Sequence, residues 1–533
     1  MQKNRSLIGR FGAPLAAIVL CACTAPTPVS AQNGGAAAVE LTVTPAEKAV
    51  IVVDTTKVIR AKLPDTLFGF NIRWSNFETD LWNAARNQVY PSVISSLKPF
   101  AGAMYRYPGG TVANSYDWEA ARQPMEMRRP LNAQRPRSQA LPLFGIDEYL
   151  AFVGEVNGAP FYTLNLLGRE AGKDITEFPS AQLAASNRRL AEYLKQRFQP
   201  LGIPRLYQLG NELDRGNTEW SHQKYVSRAL DTMNAMREID PEARFVAFVR
   251  EFNWKYRLPG HSGMSRSDEF IRDVMLGMPK LNDLSLNSYY DGTLREGGKF
   301  FAIDELLSNY QRVLSIAQDL RPGQPVSLWV TEHSRRIGGE DENVQGRNKT
   351  LASGLGGALS SADFLIGLAQ MPQVAGAAWH ALNGVDRRLF EPGADPLPTA
   401  VYWALRVLRV APSGAVVATS TASPNLSRYQ GGYDIRAAAL TSGSDGPLTV
   451  WAINRASRTA PATLQVPTWK GRKVTLQHYF VAGPDGVAAD QVGNAYHREL
   501  QAKPVAAQFS ADGTVAVTLP PSSISTFVVT TAK

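Results

Sequence analysis

From Leu67 onward, short apolar runs recur along the chain between longer stretches in which apolar residues return every three or four positions. The short runs read as strands buried on both faces and the longer stretches as amphipathic helices, and their alternation feeds a parallel sheet. Eight such strands fall at residues 67–72, 103–106, 160–165, 205–210, 245–249, 283–288, 326–331 and 374–379. Eight β-α units predict a (β/α)8 TIM barrel. The clearest helix lies between the third and fourth strands, where Leu183, Leu190, Leu194 and Phe198 share one face and Pro200, Gly202 and Pro204 end the segment.

Past Pro412 the texture changes to short alternating strands at 448–453, 474–480, 515–519 and 524–529, separated by Gly, Pro, Ser and Asp. That pattern predicts a β-sandwich. The stretch 39–62, with Val50-Ile51-Val52-Val53 at its centre, alternates in the same way but has no helix to pair with. It is expected to join the sandwich, so that this domain draws on both ends of the chain. The expected organisation is therefore an export signal over 1–31, a linker over 32–38, N-terminal sandwich strands over 39–62, a catalytic barrel over 63–410 and the sandwich over 411–533.

Composition adds compartment and excludes some classes. With 44% hydrophobic and 19% charged residues over 533 positions, the chain can bury a large core, and disorder is excluded. Lys3, Arg5 and Arg10 precede an apolar run over 13–22, too short to span a bilayer but suited to export. Leu20-Cys21-Ala22-Cys23 resembles a lipoprotein box, and Val29-Ser30-Ala31 fits an ordinary signal-peptidase site. Either route predicts an exported protein: periplasmic, anchored by lipid to the outer membrane, or secreted, with no transmembrane helix. The only cysteines, Cys21 and Cys23, lie in that segment, so no disulfide is expected in the folded domain. The net charge of +9 and pI near 9.4 suit a basic surface or an anionic partner. No nucleic-acid-binding signature is present, no phosphate loop follows a strand, and six histidines without metal-ligand spacing imply neither cofactor nor metal.

In a TIM barrel the catalytic groups sit where strands end, so the polar residues that follow the apolar runs carry the chemistry. Glu212 follows the fourth run and Glu332 the seventh. Strands four and seven face each other across a barrel mouth. Glycosidic bond cleavage needs one carboxylic acid to protonate the leaving oxygen and one carboxylate on the opposite face of the sugar. A helix cap or a surface ion pair is the bland reading of either glutamate alone. Asn71, Asn165, Trp379, Trp74 and His380 also stand at strand ends, where they could line a sugar pocket or simply fill core, and Glu251 is a spare carboxylate past the fifth strand.

Several motifs are more specific. Arg106-Tyr107-Pro108-Gly109-Gly110 followed by Tyr116-Asp117-Trp118-Glu119, then Gly210-Asn211-Glu212-Leu213-Asp214, Ser288-Tyr289-Tyr290 and Pro398-Thr399-Ala400-Val401-Tyr402 together resemble the clan A retaining glycoside hydrolases. Within that clan they are nearest to family 51 α-L-arabinofuranosidases, and Asp395-Pro396-Leu397-Pro398 looks equally like the heparanases and β-glucuronidases of family 79. The resemblance runs from about Leu67 to Leu408. It implies that Glu212 is the acid/base, Glu332 the nucleophile, Asn211 a donor to the sugar 2-hydroxyl, and Arg106 and Tyr289 the groups that keep Glu332 ionised and oriented. The chain departs from family 51 at Phe68-Gly69-Phe70-Asn71, where a Gly-His and a sugar-binding Glu are usual, at Thr111, and at His333-Ser334, where Trp-Asn is usual.

The expected activity is retaining hydrolysis of O-glycosidic bonds in oligo- or polysaccharide, arabinofuranosidase-like. A β-glucuronidase-like or xylosidase-like hydrolase of acidic glycan is the enzymatic alternative, and a non-catalytic envelope glycan-binding protein the non-enzymatic one, although a binder would have no use for both carboxylates. The acidic reading rests on arginines in loops that follow strands: Arg122, Arg128, Arg129, Arg135 and Arg137 after the second, Arg335 and Arg336 after the seventh, Arg387 and Arg388 after the eighth. Either they converge on one cleft, or they form a rim paired with internal acids.

Overall fold

The structure is a computed structural model and describes residues 44–45, 48–75, 81–132, 139–171, 174–198, 205–215, 218–250, 266–290, 303–337, 349, 351–384, 387–411, 414–423, 434–443, 446–492 and 500–531. The expected export signal and linker, Glu251, Arg135 and Arg137 lie outside them.

Eight parallel strands close into a barrel in chain order: Gly69–Asn71, Met104–Tyr107, Ala159–Thr163, Leu206–Gln208, Arg244–Phe248, Asp283–Tyr290, Ser327–Arg335 and Val374–His380. Helices Pro91–Leu97, Ile146–Glu155, Ser180–Phe198, His222–Ile239, Arg266–Gly277, Ile303–Asp319 and Leu355–Ala369 fall between successive strands, and Ala400–Leu408 follows the last. Leu183, Leu190 and Leu194 are buried on one face of Ser180–Phe198, as their spacing requires. The helix Leu355–Ala369 is buried along its length, packed among the seventh barrel strand, the helices Ile303–Asp319 and Ala400–Leu408, and strands of the sandwich.

The strand limits differ from the sequence reading at the mouth. The first strand begins only at Gly69, since Asp65–Phe68 forms a 3-10 turn, and the seventh runs on to Arg335. Glu332 therefore lies within its strand instead of after it.

The sandwich sheet runs in the order Gln501–Gln508, Lys473–Val481, Ser523–Thr531, Leu448–Asn454, Ile435–Thr441, Ala415–Ser423, Ala49–Arg60, Ala460–Gln465 and Thr514–Leu519. It encloses a core of its own, with Ile51, Val53, Val417, Val450, Leu464, Leu476 and Phe527. Ala49–Arg60 pairs antiparallel with Ala415–Ser423 and parallel with Ala460–Gln465, so the N-terminal strand is an internal member of the sheet. Barrel and sandwich are joined by buried charge. Arg436 bridges Asp304 and Asp363, and Arg455 donates to Asp363 at 2.8 Å. Among the described residues no helix is long and apolar enough to cross a membrane.

Candidate active site

The barrel interior is filled by Met104, Phe161, Leu206, Val246, Trp329 and Ala378. Side chains alternate across a strand, so the inward positions one step nearer the mouth are two residues further on: Asn71, Arg106, Thr163, Gln208 and His380. Three of them, Arg106, Thr163 and Gln208, form a connected buried set. Arg106 donates Nε to Gln208 Oε1 at 2.6 Å, and Thr163 donates to the same oxygen at 3.3 Å. Asn71 donates Nδ2 to the Thr331 carbonyl at 3.5 Å, while its Oδ1 has no partner among the described residues.

Strict alternation from Trp329 would turn Glu332 outward. The register breaks it: Leu286 pairs with Val330 but Asn287 with Glu332, leaving Thr331 as an extra residue opposite the sixth strand. This bulge re-aims the chain, so that Glu332 points inward and His333 outward. Glu332 Oε1 accepts from Arg106 Nη1 at 2.8 Å, and Oε2 accepts from the Tyr289 hydroxyl at 2.5 Å. Gly110 makes room for this, since a Cβ there would stand 2.7 Å from Glu332 Oε1. Burial and the charge of Glu332 push the Tyr289 phenol well above its usual range, so it stays a donor.

Burial alone would raise the Glu332 carboxyl. The charges of His380 and Arg106 and the hydrogen bonds from Tyr289 and Arg106 outweigh it and hold the carboxyl at about 2. His380 Nδ1 lies 3.8 Å from Glu332 Oε2, yet burial draws the imidazole itself down to about 3. Above that pH the ring is neutral, and the cation that keeps Glu332 ionised is Arg106. The spent hydration of both charges is replaced by the Gln208 and Asn211 acceptors around the guanidinium.

The fourth strand leads into a left-handed turn: Gly210 has φ of 72° and Glu212 of 49°. A non-glycine residue in that region is strained, and here the strain turns the Glu212 side chain over the mouth. Glu212 Oε1 accepts from Asn287 Nδ2 at 2.9 Å and Arg215 Nη1 at 3.2 Å, and its side chain is 25% exposed, against 6% for Glu332. Asn211 is clamped at both backbone groups by Asn114, whose Oδ1 accepts from Asn211 N at 2.8 Å and whose Nδ2 donates to Asn211 O at 2.6 Å. Its own Oδ1 accepts from Arg106 Nη2 at 2.7 Å and from Asn287 Nδ2 at 3.3 Å. Arg106, Asn211 and Asn287 thus link the two glutamates in one unbroken chain of contacts.

Glu212, Glu332, Asn71, Arg106, Asn211 and Tyr289 are brought together at the mouth. Asn165 and Trp379 are not. Asn165 ties down its own loop, accepting from Leu167 N at 3.0 Å and Gly168 N at 2.9 Å and donating to Gly168 O at 2.8 Å, which leaves little for a sugar. It edges a cleft of about 420 Å³ that Trp118, Gln182 and Asn187 also line, and neither glutamate reaches that cleft. Trp379 sits between the inward residues Ala378 and His380, so it faces the helix layer, fully buried against His333. Trp74 is fully buried as well.

Most of the arginines form a paired rim instead of a converging cluster. Arg128 meets Glu148 at 2.8 Å, Arg129 meets Asp117 at 2.7 Å, Arg335 meets Asp490 at 2.6 Å and Arg388 meets Glu391 at 3.4 Å, while Arg122 stacks on Tyr193. Sequence reasoning missed Asn114 and Asn287. Asn287 had a signal, as a polar residue two positions before Tyr289 on the same strand face. Asn114, in a short loop helix, had none. Among the described residues no cluster of three or more potential metal ligands occurs.

A closed eight-stranded barrel with a sandwich fed from both chain ends is a fold that this chain shares with solved arabinofuranosidases. The family 51 α-L-arabinofuranosidase of Thermotoga petrophila superposes with a TM-score of 0.69 over 90% of this chain and all of its own at 16% identity, and the α-L-arabinofuranosidase of Thermotoga maritima with 0.70 over 90% and 99% at 15%. In sequence, 211 residues are 30% identical to an intracellular exo-α-(1→5)-L-arabinofuranosidase of Streptomyces lividans, covering 37% of this chain and 30% of that one. A Bacillus subtilis counterpart is 29% identical over 180 residues, 35% of its length. The chain thus matches about a third of the length of these relatives. No protein-family model matches it.

Proposed function

We propose that the chain is a retaining glycoside hydrolase, arabinofuranosidase-like, that cleaves O-glycosidic bonds in oligo- or polysaccharide. One observation carries this reading: Glu332 is buried, anionic and doubly hydrogen-bonded across from a partly exposed Glu212. In the first step Glu332 attacks the anomeric carbon as Glu212 gives its proton to the departing oxygen, which leaves a glycosyl ester on Glu332. Glu212, now a carboxylate, then takes a proton from water, whose oxygen displaces Glu332 and restores the original anomeric configuration. Asn211 is oriented by Asn114 and Arg106 to offer its amide to a sugar hydroxyl next to the reacting carbon. The test is proton NMR of the first product from an aryl α-L-arabinofuranoside, in which a retained anomer is expected and an inverted one refutes the mechanism.

The reading includes export. Its support is the basic start at Lys3, Arg5 and Arg10 followed by the apolar run over 13–22. The two curated relatives are by name intracellular, so cell fractionation of the full-length chain decides between the two compartments. Labelling with a fatty-acid analogue, with and without Cys21→Ser and Cys23→Ser, tests the lipid anchor.

A further inference from the structure

Arg387 reaches from the loop after the eighth strand to lie over the ring of Tyr289, its guanidinium carbon 4.5 Å from the ring centroid, and donates Nη1 to Ser334 Oγ at 3.0 Å. Both partners are uncharged. Arg106, Arg215, Arg128, Arg129 and Arg388 each meet a carboxylate, whereas Arg387 meets none among the described residues. It is part-buried, and Glu332 is separated from it by the Tyr289 ring, so among the described residues the guanidinium has no direct ion pair there. Violations of this kind persist where a ligand supplies what is missing.

The position is informative too. Tyr289 carries Arg387 on its face and Glu332 on its hydroxyl, so the guanidinium stands one aromatic ring away from the nucleophile. The sixth and seventh strands fix that relationship. From the geometry we infer that the site takes a glycan bearing a uronate carboxylate, on the released sugar or its immediate neighbour, and that Arg387 grips that carboxylate. A guanidinium fork with one N–H committed to Ser334 keeps its remaining donors for a paired contact with two carboxylate oxygens. This inference rests on the glycosidase reading for the location of the scissile bond, and it replaces a diffuse ring of arginines with one residue.

Two substrate pairs test it. Aryl β-D-glucuronide against aryl β-D-glucoside reports a carboxylate on the released sugar. An arabinofuranosylated glucuronoxylan oligosaccharide against the same compound after its carboxyl groups are reduced to alcohols reports a carboxylate next door. In the pair that matches the true source, the acid form is expected to lead by about tenfold in kcat/KM at low salt, the worth of one charged hydrogen-bonded contact. That lead should shrink toward 1 M salt, where the screening length falls to about 3 Å. Arg387→Gln is expected to bring the acid-to-neutral ratio to about one whatever happens to the absolute rates, and Arg387→Lys to recover part of it. A wild-type ratio near one in both pairs overturns the inference, as does Arg387→Gln losing equally on acid and neutral forms, which would make Arg387 a support for Tyr289 only. Calorimetry of wild type with glucuronate and with glucose separates the two levels. Salt-sensitive glucuronate binding that Arg387→Gln abolishes, without turnover of any glycoside, sinks the glycosidase reading and keeps the anion site; no preference for glucuronate, together with unit ratios, does the reverse.

Discussion

Arg106 and Glu332 form an ion pair of 2.8 Å that is closed to solvent, and the same guanidinium also binds Gln208 and Asn211. Nη1 and Nη2 of Arg106 are used to fix one carboxylate and the amide beside it. Replacing Arg106 with Gln removes the permanent cation while burial still disfavours the charged carboxylate. The Glu332 carboxyl, held at about 2 in the wild type, should then rise by about one to three units. If Glu332 is the nucleophile, as proposed, the acid limb of kcat/KM should move up by the same amount, read from pH-rate profiles of wild type and variant. An unmoved limb would mean that Tyr289 suffices alone.

Gly110→Ala should separate fold from activity. Its Cβ would stand 2.7 Å from Glu332 Oε1, the far end of a side chain that can swing but is held by Arg106 and Tyr289. Displacing it should leave the melting temperature nearly unchanged and lower kcat by about a hundredfold, the usual cost of an ångström of misplacement. Calorimetry and steady-state kinetics on the same sample decide it.

Glu212→Ala should lose far more activity on glycosides with poor leaving groups than on activated aryl glycosides, because only the former need a proton. Added azide should restore part of the turnover on the activated substrate and give a glycosyl azide of retained configuration. Equal losses on both substrates would remove Glu212 from the acid/base role.

Among the described residues His333 and His380 are buried and each drawn down to about 3, and His478 is drawn to about 4 by burial and Lys503, so all of these are neutral near pH 7. Folded values below the ordinary 6.5 mean that the unfolded chain binds these protons first. Their contribution to stability is therefore complete above 6.5 and is lost as pH falls, at about 1.4 kcal/mol per pH unit for each imidazole until its folded value is reached. Urea unfolding between pH 7 and 4 should show this slope, and His478→Gln should reduce it.

Asp363 neutralises both Arg436 and Arg455 where the barrel meets the sandwich. Asp363→Ala takes away one of the carboxylates that meet the buried Arg436, leaving the Asp304 contact, and should cost about 3–5 kcal/mol in chemical denaturation. Asp363→Asn, which keeps acceptors but not charge, should cost less.

The barrel was legible because strand runs and helix spacings alternate without interruption from the first strand to the eighth, and Glu212 and Glu332 stood out as carboxylates at apolar runs. The inward aim of Glu332 was not legible, because it depends on the extra residue Thr331, and a bulge leaves no mark on the hydrophobic pattern. Trp379 was misread although period two carried the answer: with Ala378 inward, Trp379 has to face out. Arg388 has its partner Glu391 three residues on, but the other partners could not be read, since Arg335 meets Asp490 and Arg128 meets Glu148 only after folding brings separate segments together.

The strand Ala49–Arg60 is made early in synthesis but finds its neighbours only in Ala415–Ser423 and Ala460–Gln465. The whole barrel is thereby the loop between two adjacent strands of another domain. Closing a loop of that length is slow, so an apolar strand must wait, unpaired, while the barrel forms beside it. Once closed, the sheet works as a clasp: a protease that nicks an exposed barrel loop cuts the chain but releases neither piece, because the fragment before the cut and the fragment after it still share the sheet. Limited proteolysis should therefore yield two bands under denaturing conditions and a single species under native ones.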